Sequence, residues 1–517
     1  MDARAATTAL LAMLAFSSGG GTCSRLSWHE SPPSTRGCTS SGARAVAERP
    51  IEVLVPNDAE TLDPRHATDA VAIRTSRLVH AGLVRLDPTT LEPQPYLARS
   101  WRWVDERTLS VELRDDVRFH SGAPFGARDV EATIRAFQAP AVGSRHARVV
   151  DAIGRARIDG EHRLTIELRR AHATLLTDLE LPILRADEAA GPPRPDGSLD
   201  GLGPFVVAAR EPGAIELAPA KNGALPSPAH SVTIRTVHDE NARALRMHAG
   251  RADLVVNGFS PTLLPALANA PGLSVVSRPG ANLSYMLART DRGPLADVRV
   301  RKALSVAIDR ARIAATLLAG RASTASTLLP PAHWAFTSEG AAPFDLEGAR
   351  HLLVEAGVLP LRLTLLTSTD RLRGTIARQI AQDLAGIGVL LDVVPLELGT
   401  MIARLGAGDF ELATLQMPEV TEPNVFRVFL HSSSIPPAGA NRGRVRDAEL
   451  DALLDRGAAV RDIAARREIY ASLERLVRER AFVIPLWHED QVAVASARAA
   501  AFRPSAEGRW LDLATLP

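Results

Sequence analysis

A chain of 517 residues is too long for one hydrophobic core, and its length alone suggests roughly two to four domains. Its 46% hydrophobic and 23% charged residues are an ordinary globular balance. The 60 Lys+Arg against 59 Asp+Glu leave a net charge of +1, which gives no electrostatic ground for nucleic-acid binding, and no nucleic-acid motif is present. The only cysteines are Cys23 and Cys38, so the chain beyond them is without cysteine zinc sites, iron–sulfur clusters or a thiol nucleophile.

The N-terminus reads as an export signal over residues 1–22. Arg4 supplies the positive end, Thr8 to Phe16 a short apolar core, and small residues follow. The apolar run is far shorter than the ~20 residues needed to cross a bilayer, and no later stretch spans one. Cys23, after Gly20, Gly21 and Thr22, stands where a bacterial lipoprotein signal would place its lipid-modified cysteine, although the usual Leu three residues earlier is missing. The alternative is ordinary cleavage with a Cys23–Cys38 disulfide. Residues 23–48, rich in Ser, Pro, Gly and Arg without periodicity, read as a tether.

From Ile51 the pattern becomes that of a folded body. "IEVLV" is a compact strand closed by the turn-rich "PNDAETLDP". "DAVAIRTSRLVHAGLVRLD" carries Val71, Thr75, Leu78, Val79 and Leu83 at helical spacing. "RTLSVELR" alternates as a half-buried strand. "DVRFHSGAPFGARDVEATIRAF" is a strand end, a Gly-Ala-Pro turn and a helix whose buried face is Val130, Ile134 and Phe137. Short strands and helices then alternate: "HRLTIELR", "SVTIRTV", the helix ending at Gly250, "ADLVVNGF", the helix pair ending at Gly320, the helix stopped at Gly357, "LRLTLLTS", "RLRGTIARQIAQDLAGIG", "VLLDVVPLE", two late helices, and a closing strand region "FVIPLWHEDQVAVAS". The sum is an α/β protein with several sheets, whose lobes are built from interleaved segments.

Residues 113–134 gather Asp115, Asp116, His120 and Asp129 and invite a metal or acid–base reading. Nothing in their spacing puts them on one face, and Asp129 falls where a helix's first turn favours a carboxylate. A turn-and-cap role is expected. His431 with the three serines after it, and "WHED" at Trp487 to Asp490, both read as loops without a paired catalytic base, and the scattered histidines set no metal site. No catalytic residue, metal or cofactor is expected. Lys occurs only at Lys221 and Lys302; the near-exclusive use of Arg reads first as codon bias and only distantly as anion recognition.

Six motifs in order resemble the solute-binding proteins of ABC importers, family 5, the dipeptide, oligopeptide and nickel-binding class. They are "TLDP" at Thr61 to Pro64, "YLARSWRWVDERTLSVELRDDVRFHSGAPFGARDV", "DVRVRKALSVAIDRARIAATLLAGRASTASTLLPP", "FDLEGARHLLVEAG", "AQDLAGIGVLLDVVPLE", and "DAELDALLDRG" followed by "REIYASLERLVRERAFVIPL". The resemblance covers nearly all of residues 50–515. It implies a large, class II periplasmic-binding-protein-like clamp. One lobe would take residues 49–279 and return over 487–517, residues 280–486 would form the other, and hinge strands would join them.

The resemblance also implies ligand contacts. Peptide-binding relatives carry a tryptophan, an acid three residues later that meets the peptide's α-amino group, and then an acid–proline pair. Here "QMPEVTEP" puts Gln416 at the tryptophan, Glu419 at the first acid and Glu422-Pro423 at the pair. A carboxylate suits a buried ammonium. From the first lobe, Asp58, Ala59 and Glu60 are expected to offer backbone groups to an added peptide strand. Asn282, Ser284 and Tyr285 are expected to face the cleft from the strand entering the second lobe, with Trp334 and Trp487 as walls.

Expected partners are a peptide or small polar solute, an ABC permease and, indirectly, its ATPases. No nucleic acid is expected, and no membrane except through a lipid at Cys23. An exported, monomeric, non-enzymatic protein of the periplasm or cell envelope follows. Alternatives on the same fold are a ligand-binding sensor or adaptor, and cargo such as an oligosaccharide, an opine or a nickel chelate.

Overall fold

The protein's structure is a computed structural model that describes residues 49–337 and 344–517; the signal, the tether and both cysteines lie outside the described residues. A seven-stranded mixed sheet runs, edge to edge, Leu273–Arg278, Gln491–Ser496, Leu254–Val256, Ile51–Val55, Val232–Thr236, Ala214–Pro219, Phe205–Glu211. Ile51–Val55 is central and parallel to both neighbours, Val232–Thr236 and Leu254–Val256. Those two are linked through the helix Glu240–His248, the crossover that parallel strands require. Burial on both faces explains why this opening strand is almost wholly apolar, with Ile51, Val53, Leu54 and Val55 all inside.

A four-stranded antiparallel sheet, Ala98–Trp103, Thr108–Leu113, Arg163–Leu168 and Ile153–Gly160, carries the helix Ala127–Gln138 against it. Leu109, Val111 and Leu113 alternate inward as their spacing predicts, and Val130, Ile134 and Phe137 meet them in one core. The acid-rich stretch is architecture here. Gly126 N–H donates to Asp129 Oδ2 at 2.9 Å and Ala186 N–H to Oδ1 at 2.9 Å, so Asp129 caps its helix and ties it to a distant loop. The His120 ring contacts the Gly203 carbonyl at 3.0 Å, while Asp115 and Asp116 pair with Arg99 and Arg114.

A six-stranded sheet runs Ala322–Thr324, Val483–Glu489, Leu283–Ala288, Leu412–Met417, Leu361–Ser368, Val389–Leu396. Leu283–Ala288 is buried at every position. Its odd residues Leu283, Tyr285 and Leu287 enter one core with the helices Ala448–Ala459 and Ile463–Arg480. Its even residues Met286 and Ala288 enter another with Val298–Val306 and Arg371–Ala385. A sheet covered on both faces has no polar alternation to display, so only the length of such apolar runs marks them as strands.

The chain passes between these two large sheets twice, over 279–282 and at Asp490. The closing region read as one strand region is two strands, Val483–Glu489 and Gln491–Ser496, in different sheets. Asn282 stitches the crossings together. Its Nδ2 donates to the Glu489 carbonyl at 2.6 Å and its Oδ1 accepts from Glu489 N–H at 2.8 Å. The body of the chain is one compact unit by its contacts, with two lobes around this crossing.

Candidate solute-binding cleft

Beside the crossings lies a cavity of about 1290 Å3 walled by both lobes. One wall is the start of the helix Ala70–Val79, whose N-cap Asp69 accepts from Ala72 N–H at 2.8 Å. Val71, Ala72, Thr75, Leu78 and Val79 take its buried face, which leaves Arg74 and Arg77, three residues apart, on the cleft side. The opposite wall brings Gln416 and Glu419 from the end of the strand Leu412–Met417, and Arg371 and Arg373 from the first turn of the helix Arg371–Ala385.

Among the acids lining this space, Glu489 and Glu419 are each paired with an arginine. Glu489 lies at the end of its strand, where Ser284 Oγ donates to Oε1 at 2.9 Å, Trp487 Nε1 donates to Oε1 at 3.1 Å, and Arg373 Nη2 donates to Oε2 at 2.9 Å. Arg373 Nη1 closes a second bond to Oε1. Burial alone would raise the Glu489 carboxyl, but the Arg373 charge and these donors hold it below the usual carboxylate range. Glu419 has one described ion-pair partner. Arg77 Nη1 reaches its Oε1 at 3.3 Å from the other lobe, and Arg77 Nη2 stands 3.8 Å from Glu180. Glu180 in turn is clasped by Arg509, whose Nη2 donates to its Oε2 at 2.6 Å.

A smaller pocket of about 450 Å3 adjoins the cavity and shares Ile73, Arg145, Glu419 and Glu507 with it. Its other walls include the buried His80 and Tyr96, whose side-chain polar atoms make no hydrogen bond with a described residue. Burial pushes the His80 ring down to about 3, so it stands neutral there. A third space of about 610 Å3 opens on the other side of Gln416 and Glu419, lined by Ser284, Tyr285 and Trp487.

Of the residues expected to contact ligand, Glu419, Gln416 and Asn282 line the large cavity, and Ser284, Tyr285 and Trp487 line the adjoining space. Gln416 is engaged by its neighbours: Nε2 donates to Ser284 Oγ at 3.3 Å and Oε1 accepts from Arg373 at 3.4 Å. Trp487 is 1% exposed and serves the core and Glu489. The carbonyls of Ala59 and Glu60 accept from Arg210 at 2.9 and 3.3 Å, and Asp58 accepts from Thr236. Asp58 and Ala59 border a separate pocket of about 520 Å3 with Arg210. Thr68, Ala70, Ile73 and Arg74, farther along the same loop and helix, line the large cavity instead.

Trp334 is not among the residues lining these cavities; it lies between His333, with ring centroids at 5.2 Å, and the Arg466 guanidinium at 5.0 Å. Arg466 pairs with the buried Glu422, which gives the acid–proline pair its structural place. "WHED" is no loop: Trp487, His488 and Glu489 end a strand. His488 is buried against the Asn282 carbonyl, and burial pushes its ring down to about 4. Glu489 and Arg373 are cleft residues that sequence reading passed over; a carboxylate closing an apolar strand was the available signal. Among the described residues no group of His, Cys, Asp and Glu could hold a metal ion.

Two α/β lobes joined by paired crossings, with a polar cavity between them, define a solute-binding clamp. The profile of bacterial extracellular solute-binding proteins, family 5 Middle, matches residues 92–434, and the chain belongs to that family. The chain is similar to probable di/tripeptide-binding protein 5 of Pseudomonas aeruginosa, 26% identical over 465 residues, covering 83% of this chain and 88% of that one. It is also similar to heme-binding protein A of Haemophilus influenzae, 26% identical over 471 residues, covering 82% and 84%. The crystal structure of the ABC transporter substrate binding protein CtaP from Listeria monocytogenes superposes with a TM-score of 0.81 at 22% identity, covering 90% of this chain and 98% of that one. The family's function is solute binding outside the cytoplasm.

Proposed function

We propose that the chain captures peptides or similar small polar solutes in the cleft and delivers them to the permease of an ABC importer. The observation that carries this reading is the Arg77–Glu419 contact at 3.3 Å, which bridges the two lobes where the cavity of about 1290 Å3 meets the smaller pocket. The resemblance to peptide-binding relatives assigns Glu419 the ligand-binding acid of their motif. Hinge motion about 279–282 and Asp490 would open that space and expose Glu419 to solute. The di/tripeptide name of one relative and the transporter name of the similar structure support the reading.

Lobe boundaries belong to the same proposal. One lobe holds the seven- and four-stranded sheets and the other the six-stranded sheet, with the return to the first lobe at Asp490. So does an envelope tether through Cys23, which metabolic labelling with palmitate tests: label lost in Cys23→Ala supports it, and label absent from the wild type removes it.

The cargo is tested by native mass spectrometry of the purified chain, followed by denaturation and identification of what it carried. A mixture of short peptides is expected. A single sugar, haem or metal chelate would keep solute capture and replace the cargo.

A further inference from the structure

Four arginines, Arg74, Arg77, Arg145 and Arg509, lie where the large cavity meets the smaller pocket, and two of them have no described ion-pair partner. Arg77 is matched by Glu419 and Arg509 by Glu180. Arg74 makes no ion pair with a described residue; its guanidinium lies over the Trp510 ring at 5.6 Å. Among the described residues the Arg145 guanidinium donates only to the Ala67 carbonyl. Both line the cavity. Burial holds each of these guanidiniums below its ordinary value, and in each case the Arg77 charge adds to the effect while Glu419 opposes it.

Other acids on the cavity wall are engaged elsewhere. Asp239 and Asp370 accept from helix N–H groups of Ala242 and Arg373, Glu240 accepts from Ser260, and Glu489 belongs to Arg373. Glu507, 4% exposed, stands 3.4 Å from Arg509 Nε, and its second oxygen has no hydrogen-bond partner. Burial pushes this carboxyl up to about 7, so near neutral pH it is protonated in a large fraction of molecules and offers an O–H donor.

We propose that the cleft takes a solute carrying a carboxylate or similar oxyanion, bound by Arg74 and Arg145 beside the Arg77–Glu419 pair, and that within the peptide reading the cargo is acidic. This rests on the cavity being the solute site. Guanidiniums keep their charge and present donors in a planar fork that matches a carboxylate. Two of them lining one cavity without a described ion-pair partner are stabilised by an anion entering that cavity. A ligand ammonium beside Arg74 and Arg145 would meet Glu419, which is already paired with Arg77.

The test is calorimetric titration of the purified protein, freed of carried solute, with the equal-length dipeptides Ala-Glu, Ala-Gln and Ala-Lys. Ala-Glu is expected to bind about tenfold or more tighter than Ala-Gln, with the preference shrinking as salt rises. Arg74→Gln and Arg145→Gln should each shrink the ratio of Ala-Glu to Ala-Gln affinity toward one. Arg145 bonds a single carbonyl, so its variant keeps the test open if the loss of Arg74 from Trp510 disturbs the fold. Equal binding of the three dipeptides, or a preference for Ala-Lys, overturns the acidic cargo and leaves peptide capture standing. If no dipeptide binds, the peptide reading fails on its own and glutarate decides the anion site. Glutarate binding that Arg145→Gln abolishes supports the site, and no glutarate binding overturns it.

Discussion

Glu489 and Glu419 border the same cavity, and each carries an arginine, yet their surroundings differ. Glu489 accepts from three residues of its own lobe, Ser284, Trp487 and Arg373, and its Arg373 pair is two-pronged. Glu419 has one contact, at 3.3 Å, to an arginine of the other lobe, and its side chain is 36% exposed. A carboxylate fixed on every side cannot exchange its partner for a solute. One held by a single cation across a movable gap can. The first acid is therefore wall and the second is the adaptable element, even though the resemblance to peptide-binding relatives points to only one of them.

The largest effect should come from the wall. Glu489→Ala leaves Arg373 without its counter-ion against a mostly covered surface and removes the partner of Ser284 and Trp487. A loss of roughly 2–4 kcal/mol in chemical denaturation is expected, toward the lower side of breaking a buried pair because both side chains keep some exposure. Replacing the pair together, Arg373→Met with Glu489→Leu, should recover most of that loss. A single-variant cost below about 0.5 kcal/mol would erase the distinction between the two acids.

Why one acid was legible in sequence and the other was not follows from distance along the chain. Glu419 sits in a local motif with an acid–proline pair three residues on, so the resemblance to peptide-binding relatives singles it out. Glu489 depends on Arg373, 116 residues away on a helix from another part of the lobe. The strand Thr108–Leu113 and the helix Ala127–Gln138 were readable because alternation and 3.6-residue periodicity are local properties. The break at Asp490 was not, since both strands beside it are buried and apolar. The surroundings of Ala59 and Glu60 were hidden for a related reason: their carbonyls turn toward Arg210, some 150 residues later, and no nearby residue signals that.

An intermediate effect belongs to Glu507, which neighbours the adaptable pair. Burial raises its carboxyl from 4.5 to about 7, with the positive Arg77 opposing and Glu419 adding to the rise. The folded state then binds the proton more tightly than the unfolded one. Its contribution is fully present below about pH 4.5 and is lost as pH rises toward 7, so stability falls across that window. Glu507→Gln removes this part of the slope. The variant should gain on the wild type by roughly 2–3 kcal/mol between pH 4.5 and pH 8 in denaturant titrations at matched salt. Parallel wild-type and variant curves would place Glu507 in contact with water or a neutralising partner.

The smallest change in stability is expected at Glu419, and it carries the most information about the cleft. Glu419→Gln removes one partly exposed ion pair, worth about 1 kcal/mol or less, and should barely move the denaturation midpoint. Binding separates the two uses of the residue. If Glu419 meets a solute ammonium, the variant weakens Ala-Gln and Ala-Glu alike, by roughly 2–5 kcal/mol, the usual cost of breaking a buried charged pair. If its work is to hold Arg77, the variant releases a third guanidinium beside Arg74 and Arg145, and Ala-Glu binds more tightly than to the wild type, most clearly at low salt. The sign of that one change tells whether the acid faces the cargo or moderates the cations that do.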